Sequence, residues 1–341
     1  MNRSKGIIPA LAVVLIIIGF FVWAITFKDN YREDITEKIQ KEKSKADVIF
    51  KAATLAEIVD GIKYWELIAK DAAINKSTGT AKLVTVDGLF YDSGKPTVKF
   101  LAPSATWMIN NNEIYLVDPI GYDIKSEKII KGELAKVKDR SKLFSIFNLP
   151  VKAGKAYEGY WFQAKNLNWK LATKKLVCTG AISLTKGNAV MSAEKLEADV
   201  GLEKVRLTGN PTAEIIADPE KISITAKEFN IDSTTDTIIA EKDVVISRGA
   251  ARILTGRSEY FQDKDIVQLS GYVNITENEI AAFARTALYD IKGTTIVLND
   301  NAKATRGGNA IYGEKMTIFL GSNKIIVEGG TKATIKEAEI K

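Results

Sequence analysis

Along most of the chain apolar and polar residues alternate with period two, the pattern of half-buried β-strands, and the alternation itself recurs about every 29 residues. Gly180, Gly209, Lys242, Gly271, Asp300 and Gly329 mark six copies separated by 29, 33, 29, 29 and 29 residues, the long interval holding the turn signals Asn210-Pro211 and Asp218-Pro219. Four residues before these anchors stand Leu176, Val205, Ile238, Val267, Ile296 and Ile325, and two before stand Cys178, Leu207, Ala240, Leu269, Leu298 and Val327. Eleven before stand Trp169, Ala198, Ile231, Tyr260, Tyr289 and Ile318, and four after stand Leu184, Ala213, Ile246, Ile275, Ala304 and Ala333. One face of every copy is therefore apolar.

Each copy holds two strands, with turn residues such as Gly201, Thr234-Thr235, Lys292-Gly293 and Ser322-Asn323 between them. A glycine near the middle of the second strand predicts a bulge or bend at which the strand crosses from one sheet to another. The pattern extends upstream through Asp118, preceded at the same offsets by Trp107, Ile114 and Leu116, and through Gly88, preceded by Val84 and Val86. The stretch from Lys125 to Gly154 breaks the register and reads as a long loop. Stacked bent hairpins bury their apolar faces against their neighbours and build an elongated β-body.

A different pattern opens the chain. From Ile7 to Phe27 there are 21 residues without a charge, which as a helix would span about 31 Å, the thickness of a hydrocarbon core. The exit, Trp23-Ala24-Ile25-Thr26-Phe27, lacks the small residues of a signal-peptidase site. Arg3 and Lys5 precede the span, while charges of both signs follow it, so the N-terminus is expected in the cytoplasm and everything from about Lys28 onward outside it. Residues 1–30 read as tip and transmembrane anchor, and residues 31–62, rich in Lys, Glu and Ala, as a short helical or partly disordered stalk.

Composition narrows the chemistry. The chain has no histidine and a single cysteine, Cys178, which removes imidazole-based nucleophile systems, disulfides and zinc clusters, and gives Cys178 the look of a small buried strand residue. The net charge of +6 divides into +8 over residues 1–215 and −2 over 216–341. Lys38, Lys41, Lys43, Lys45 and Lys51 form a basic zone just beyond the span, suited either to anionic headgroups or to a solvated stalk. Acidic residues such as Asp263 and Asp265 occupy turns and outward positions, and no phosphate-binding GxxxxGK[ST] loop is present. No catalytic residue, metal, cofactor or nucleic-acid partner is expected.

The run Trp65–Ala72, with Gly79-Thr80-Ala81-Lys82-Leu83, Gly88-Leu89-Phe90-Tyr91, Ala102–Trp107, Leu167-Asn168-Trp169 and Leu207–Pro211, resembles the LptC family, the anchored periplasmic component of the lipopolysaccharide exporter. Ala226–Asp232 and Val267–Ile275 resemble the related soluble bridge component LptA, or OstA-like domain. The resemblance implies an all-β fold, one long or two consecutive open β-jellyrolls after the anchor, divided as residues 63–215 and 216–341. It implies a groove with acyl chains inside, lined by Trp65, Leu67, Leu83, Phe90, Phe100, Trp107, Leu116, Trp169, Leu176, Val205, Ile231, Ile238, Tyr260, Val267, Tyr289 and Ile296. It also implies as partners lipopolysaccharide or a related glycolipid, the permeases of an inner-membrane ABC transporter, and an LptA-like or outer-membrane jellyroll protein. The last would pair with a C-terminal edge at Thr331, Ala333 and Ile335, and the transporter with an edge near Tyr64 to Lys70. The chain is longer than the usual LptC-like pattern, as though a bridge module were fused to the anchored one. The alternative is an envelope β-scaffold or adhesin-like stack without lipid cargo.

Overall fold

The computed structural model describes residues 46–92, 94–126, 157–217 and 220–335. The span at Ile7 to Phe27 and all but the first two residues of the Lys125 to Gly154 stretch lie outside them. The strands are β1 (Val48–Val59), β2 (Ile62–Asn75), β3 (Thr80–Asp92), β4 (Lys95–Met108), β5 (Glu113–Val117), β6 (Ile120–Asp123), β7 (Tyr157–Gln163), β8 (Asn166–Lys170), β9 (Lys175–Gly187), β10 (Ala189–Asp199), β11 (Lys204–Thr208) and β12 (Thr212–Ala217). They continue as β13 (Glu220–Thr225), β14 (Glu228–Asp232), β15 (Thr237–Arg248), β16 (Ala251–Phe261), β17 (Ile266–Glu277), β18 (Ile280–Ala284), β19 (Thr286–Asp290), β20 (Thr295–Arg306), β21 (Asn309–Phe319), β22 (Lys324–Glu328) and β23 (Lys332–Thr334). The described residues are thus all-β apart from single 3-10 turns at Ile109–Asn111 and Ile124–Ser126. Among them no helix is long and apolar enough to cross a membrane.

All pairings are antiparallel, and long strands change partners midway. Thr237–Glu241 of β15 pairs with β14, whereas Val245–Ser247 pairs with β13. In β17 the first half pairs with β19 and the second with β18. The change occurs at the bend expected from the repeat: Gly180, Gly209, Lys242, Gly271, Asp300 and Gly329 all have φ between 64° and 94°. Such φ values suit glycine and are tolerated by Asn and Asp, and each bend tips the following half-strand into a second layer. Upstream, Asp118 bends as expected (φ 48°), but the next bend falls at Thr85 (φ 51°) rather than Gly88. Gly88 is instead a buried inward position where a Cβ would meet Leu67 Cδ2 at 2.6 Å, so its smallness makes room for a core side chain.

The two layers face one another across a continuous interior. Buried apolar residues from Trp65 to Ile318 form one cluster, and hydrogen bonding runs unbroken through all 23 strands, including β12, which carries the expected module boundary at 215/216. Bends line one long side of the stack and hairpin turns the other. The second-layer turns are often set by a carboxylate or amide at the strand end: Asp232 Oδ1 accepts from Thr234 N at 2.9 Å and Asp290 Oδ1 from Gly293 N at 2.8 Å.

Two expectations are corrected. The segment read as a helical or partly disordered stalk up to Ile62 contains β1, paired with β2 from Val48↔Ile74 to Val59↔Ile62. Its Leu55 and Ile58 belong to a mostly exposed strand, whose loosely spaced apolar residues also fit a helix face. Consequently Tyr64 to Lys70 is not an edge, since β2 is flanked by β1 and β3, and among the described residues the N-terminal edge is β1 itself.

Candidate functional site: an apolar interior with a polar seam

Fifteen of the sixteen residues expected to face inward do so at 5% exposure or less, from Leu176, Val267, Tyr289 and Ile296 at 0% to Trp65, Val205 and Ile238 at 5%. Trp107 is the exception, partly buried but packed on the same core. The sixth repeat differs: Ile325 and Val327 are half-buried and Ala333 is exposed. Thr331, Ala333 and Ile335 are all exposed, and Ala333 pairs with Ile311 of β21; among the described residues no strand pairs with the far side of β23.

An aromatic cluster fills the N-terminal end of the interior. Trp65, from the first layer, stands edge-on to Trp169 at 5.3 Å and to Trp107 at 6.4 Å, both from the second. Phe90 meets Trp169 at 4.0 Å and Phe100 at 4.9 Å, also edge-on. Edge-to-face pairs add about 0.5–1.5 kcal/mol each beyond burial. Trp65 Nε1 donates to Glu57 Oε2 at 2.6 Å.

Along the turn side the layers are joined by side chains instead of bent backbone. Lys186 Nζ reaches Asp236 Oδ1 at 2.8 Å and Gln262 Oε1 at 3.2 Å. Asn188 Nδ2 donates to Tyr260 Oη at 3.1 Å, and that hydroxyl donates to Asp265 Oδ1 at 3.0 Å. Arg248 donates to Tyr289 Oη, to Ile291 O and to Glu220 Oε2. Glu277 Oε1 accepts from Gly321 N at 2.7 Å, and Tyr160 Oη donates to Gly201 O at 2.9 Å. Burial pushes the hydroxyls of Tyr160, Tyr260 and Tyr289 above the usual tyrosine range, so they stay neutral. Sequence reasoning passed over this seam, yet a signal exists. Six residues after Gly180, Lys242 and Gly271, where period two demands an inward side chain, stand Lys186, Arg248 and Glu277, each at most 9% exposed. A charge at an inward position needs a partner across the interior.

Cys178 is fully buried and burial pushes its thiol up, as a core residue requires. No group of three or more metal-ligating side chains occurs among the described residues.

The fold and its interior define a class: a stack of bent antiparallel hairpins with a continuous apolar inside and, among the described residues, a strand with one open side at each end. Residues 11–144 match the family described as lipopolysaccharide-assembly, LptC-related, and residues 223–324 match the family described as LptA/(LptD N-terminal domain) LPS transport protein. The two matches follow one another along the chain without overlapping. Among solved structures, LptH of Pseudomonas aeruginosa, titled the LptA homologous periplasmic component of the lipopolysaccharide transport device, is 19% identical with a TM-score of 0.32, over 34% of this chain and 95% of that one. No curated protein matches the chain.

Proposed function

We propose that the protein is a membrane-anchored periplasmic carrier of lipopolysaccharide, which accepts lipid from an inner-membrane ABC transporter and passes it along the interior toward the outer membrane. The observation that carries this reading is the single apolar interior running from the LptC-related part into the LptA-like part. In this reading residues 1–30 are the anchor, and the modules meet near 215/216. The inward residues from Trp65 to Ile296 contact acyl chains, and β1 and β23 are the edges that meet the transporter and the next jellyroll.

Burying a methylene is worth about 0.8 kcal/mol, so a lipid with many methylenes is held strongly once inside. The inward side chains already pack on one another, so loading exchanges their mutual contacts for contacts with acyl chains, and they stay out of water in both states. What opposes loading is the polar seam, whose bonds must break for the layers to part along the turn side. Sugars would then emerge between the turns and chains lie between the layers.

The packed interior also supports a second reading, an envelope scaffold with no cargo. Photo-crosslinkers placed at Leu83, Phe100, Tyr260 and Ile296 in cells separate the two. Lipopolysaccharide attached at these positions and not at outward Lys82 or Lys99 is expected; capture of protein alone at every position would establish the scaffold.

A further inference from the structure

The residue eleven before an anchor is always inward, and at four copies it is an aromatic with a polar tip: Trp107, Trp169, Tyr260 and Tyr289. In every case it lies two to four residues from a turn, hence at the seam end of the interior. Such tips need partners when buried. Tyr260 and Tyr289 have them, through Asn188 with Asp265 and through Arg248. Trp169, only 3% exposed, and Trp107 do not: Nε1 of each is buried without a hydrogen-bond partner among the described residues. Trp65, in the same cluster, has Glu57.

The neighbours of the two unpartnered indoles are rings: Trp65 against both, Phe90 against Trp169. A ring face is at best a weak acceptor. Buried polar groups in native proteins are satisfied in the large majority, and an exception calls for an occupant. The acceptor must come from something that lies between the layers at the turn side, where apolar interior gives way to solvent. In an acylated lipid with its chains inside, the ester and amide carbonyls fall at that level, between methylenes and sugars.

Resting on the proposed carrier function, we propose that Trp169, assisted by Trp107, is a hydrogen-bond donor site for the acyl-linkage carbonyls of bound lipid, and marks where cargo is held in register in the first module. The two indoles fix the depth of the lipid; the apolar residues around them only provide volume.

Replacement by phenylalanine keeps a ring and deletes the donor. Full-length protein in detergent would be titrated with hexa-acylated lipid A as probe, beside uptake of radiolabelled hexadecane, which has no acceptor. Trp169→Phe should weaken lipid A binding about tenfold, and the double variant with Trp107→Phe further, with hexadecane uptake unchanged. In the wild type the indole N–H resonances of Trp107 and Trp169 should move on adding lipid A, while that of Trp65 stays. Wild-type affinity in both variants would overturn the donor site, as would parallel losses of lipid A and hexadecane, which mark a packing role. A wild-type protein that binds no lipid A overturns the carrier reading and this inference with it, an outcome distinct from wild-type binding unaffected by the substitutions.

Discussion

Arg248 Nη1 donates to Tyr289 Oη at 3.0 Å and to Ile291 O at 2.6 Å, tying the end of β15 in one layer to β19 in the other. Arg248 is 9% exposed, and its third partner, Glu220, is half-exposed at 51%. The inner bonds therefore carry most of its contribution, because solvent screens the ion pair. Arg248→Met should cost about 2–4 kcal/mol in urea unfolding, since it strands a hydroxyl and a carbonyl. Tyr289→Phe should cost about 1 kcal/mol. A double variant as unstable as the sum of the singles would mean that the two do not interact.

Acid should weaken the second layer through Glu228. Its carboxyl is held down to about 2, first by the Arg206 guanidinium at 2.8 Å and then by Asn230, against the opposing effect of burial. A depressed folded value stabilises the protein above the unfolded value near 4.5, and the gain is lost as pH falls from there toward 2. Arg206 is half-exposed, so the effect after screening is about 1–2 kcal/mol. Comparing urea midpoints at pH 6 and pH 2.5 for wild type and Glu228→Gln checks this; the variant should lose less on acidification.

The bends should respond to backbone chemistry in opposite directions. Gly271 has φ 94° and Lys242 has φ 66°. Gly271→Ala meets no clash, its new Cβ lying 3.6 Å from Gly256 Cα, and should still destabilise by about 1 kcal/mol through the left-handed backbone alone. Lys242→Asn should be neutral or slightly stabilising, because Asn tolerates that region. Thermal midpoints of the two variants measure the pair.

Gly121 has the opposite constraint. A Cβ there would drive into the Phe162 ring and meet Phe100 Cε1 at 2.9 Å. Gly121→Ala should cost about 1–3 kcal/mol from overpacking, and a shortened Phe100 side chain, Phe100→Leu, should return part of it. Additive losses in the double variant would show that the cost does not come from crowding.

Ala333→Pro tests the C-terminal edge. Proline removes a backbone donor from β23 and should weaken capture of a jellyroll partner in a pull-down, while lipid A binding in the first module is unchanged. Undiminished capture would place the union elsewhere.

Period-two alternation with a recurring anchor was enough to read the strands, their inward face and the bends at Gly180, Lys242 and Gly271, because each depends only on neighbouring residues: pleat, side-chain size and the φ a residue tolerates. The same local logic failed where local signals are weak. Val48–Val59 shows little contrast between its faces, and it becomes a strand because β2 offers it a ladder of hydrogen bonds. Thr85, whose branched side chain does not favour its φ of 51°, bends at the level where its pairing with β2 is interrupted between Ala69↔Val86 and Asp71↔Val84. Which tips are paired was also beyond the sequence. Arg248 and Tyr289 are 41 residues apart, and Lys186 and Gln262 are 76 apart. Only the stacking of one layer over the other brings such pairs together, and only that stacking leaves Trp107 and Trp169, at the same repeat position as Tyr260 and Tyr289, with donors that no side chain among the described residues meets.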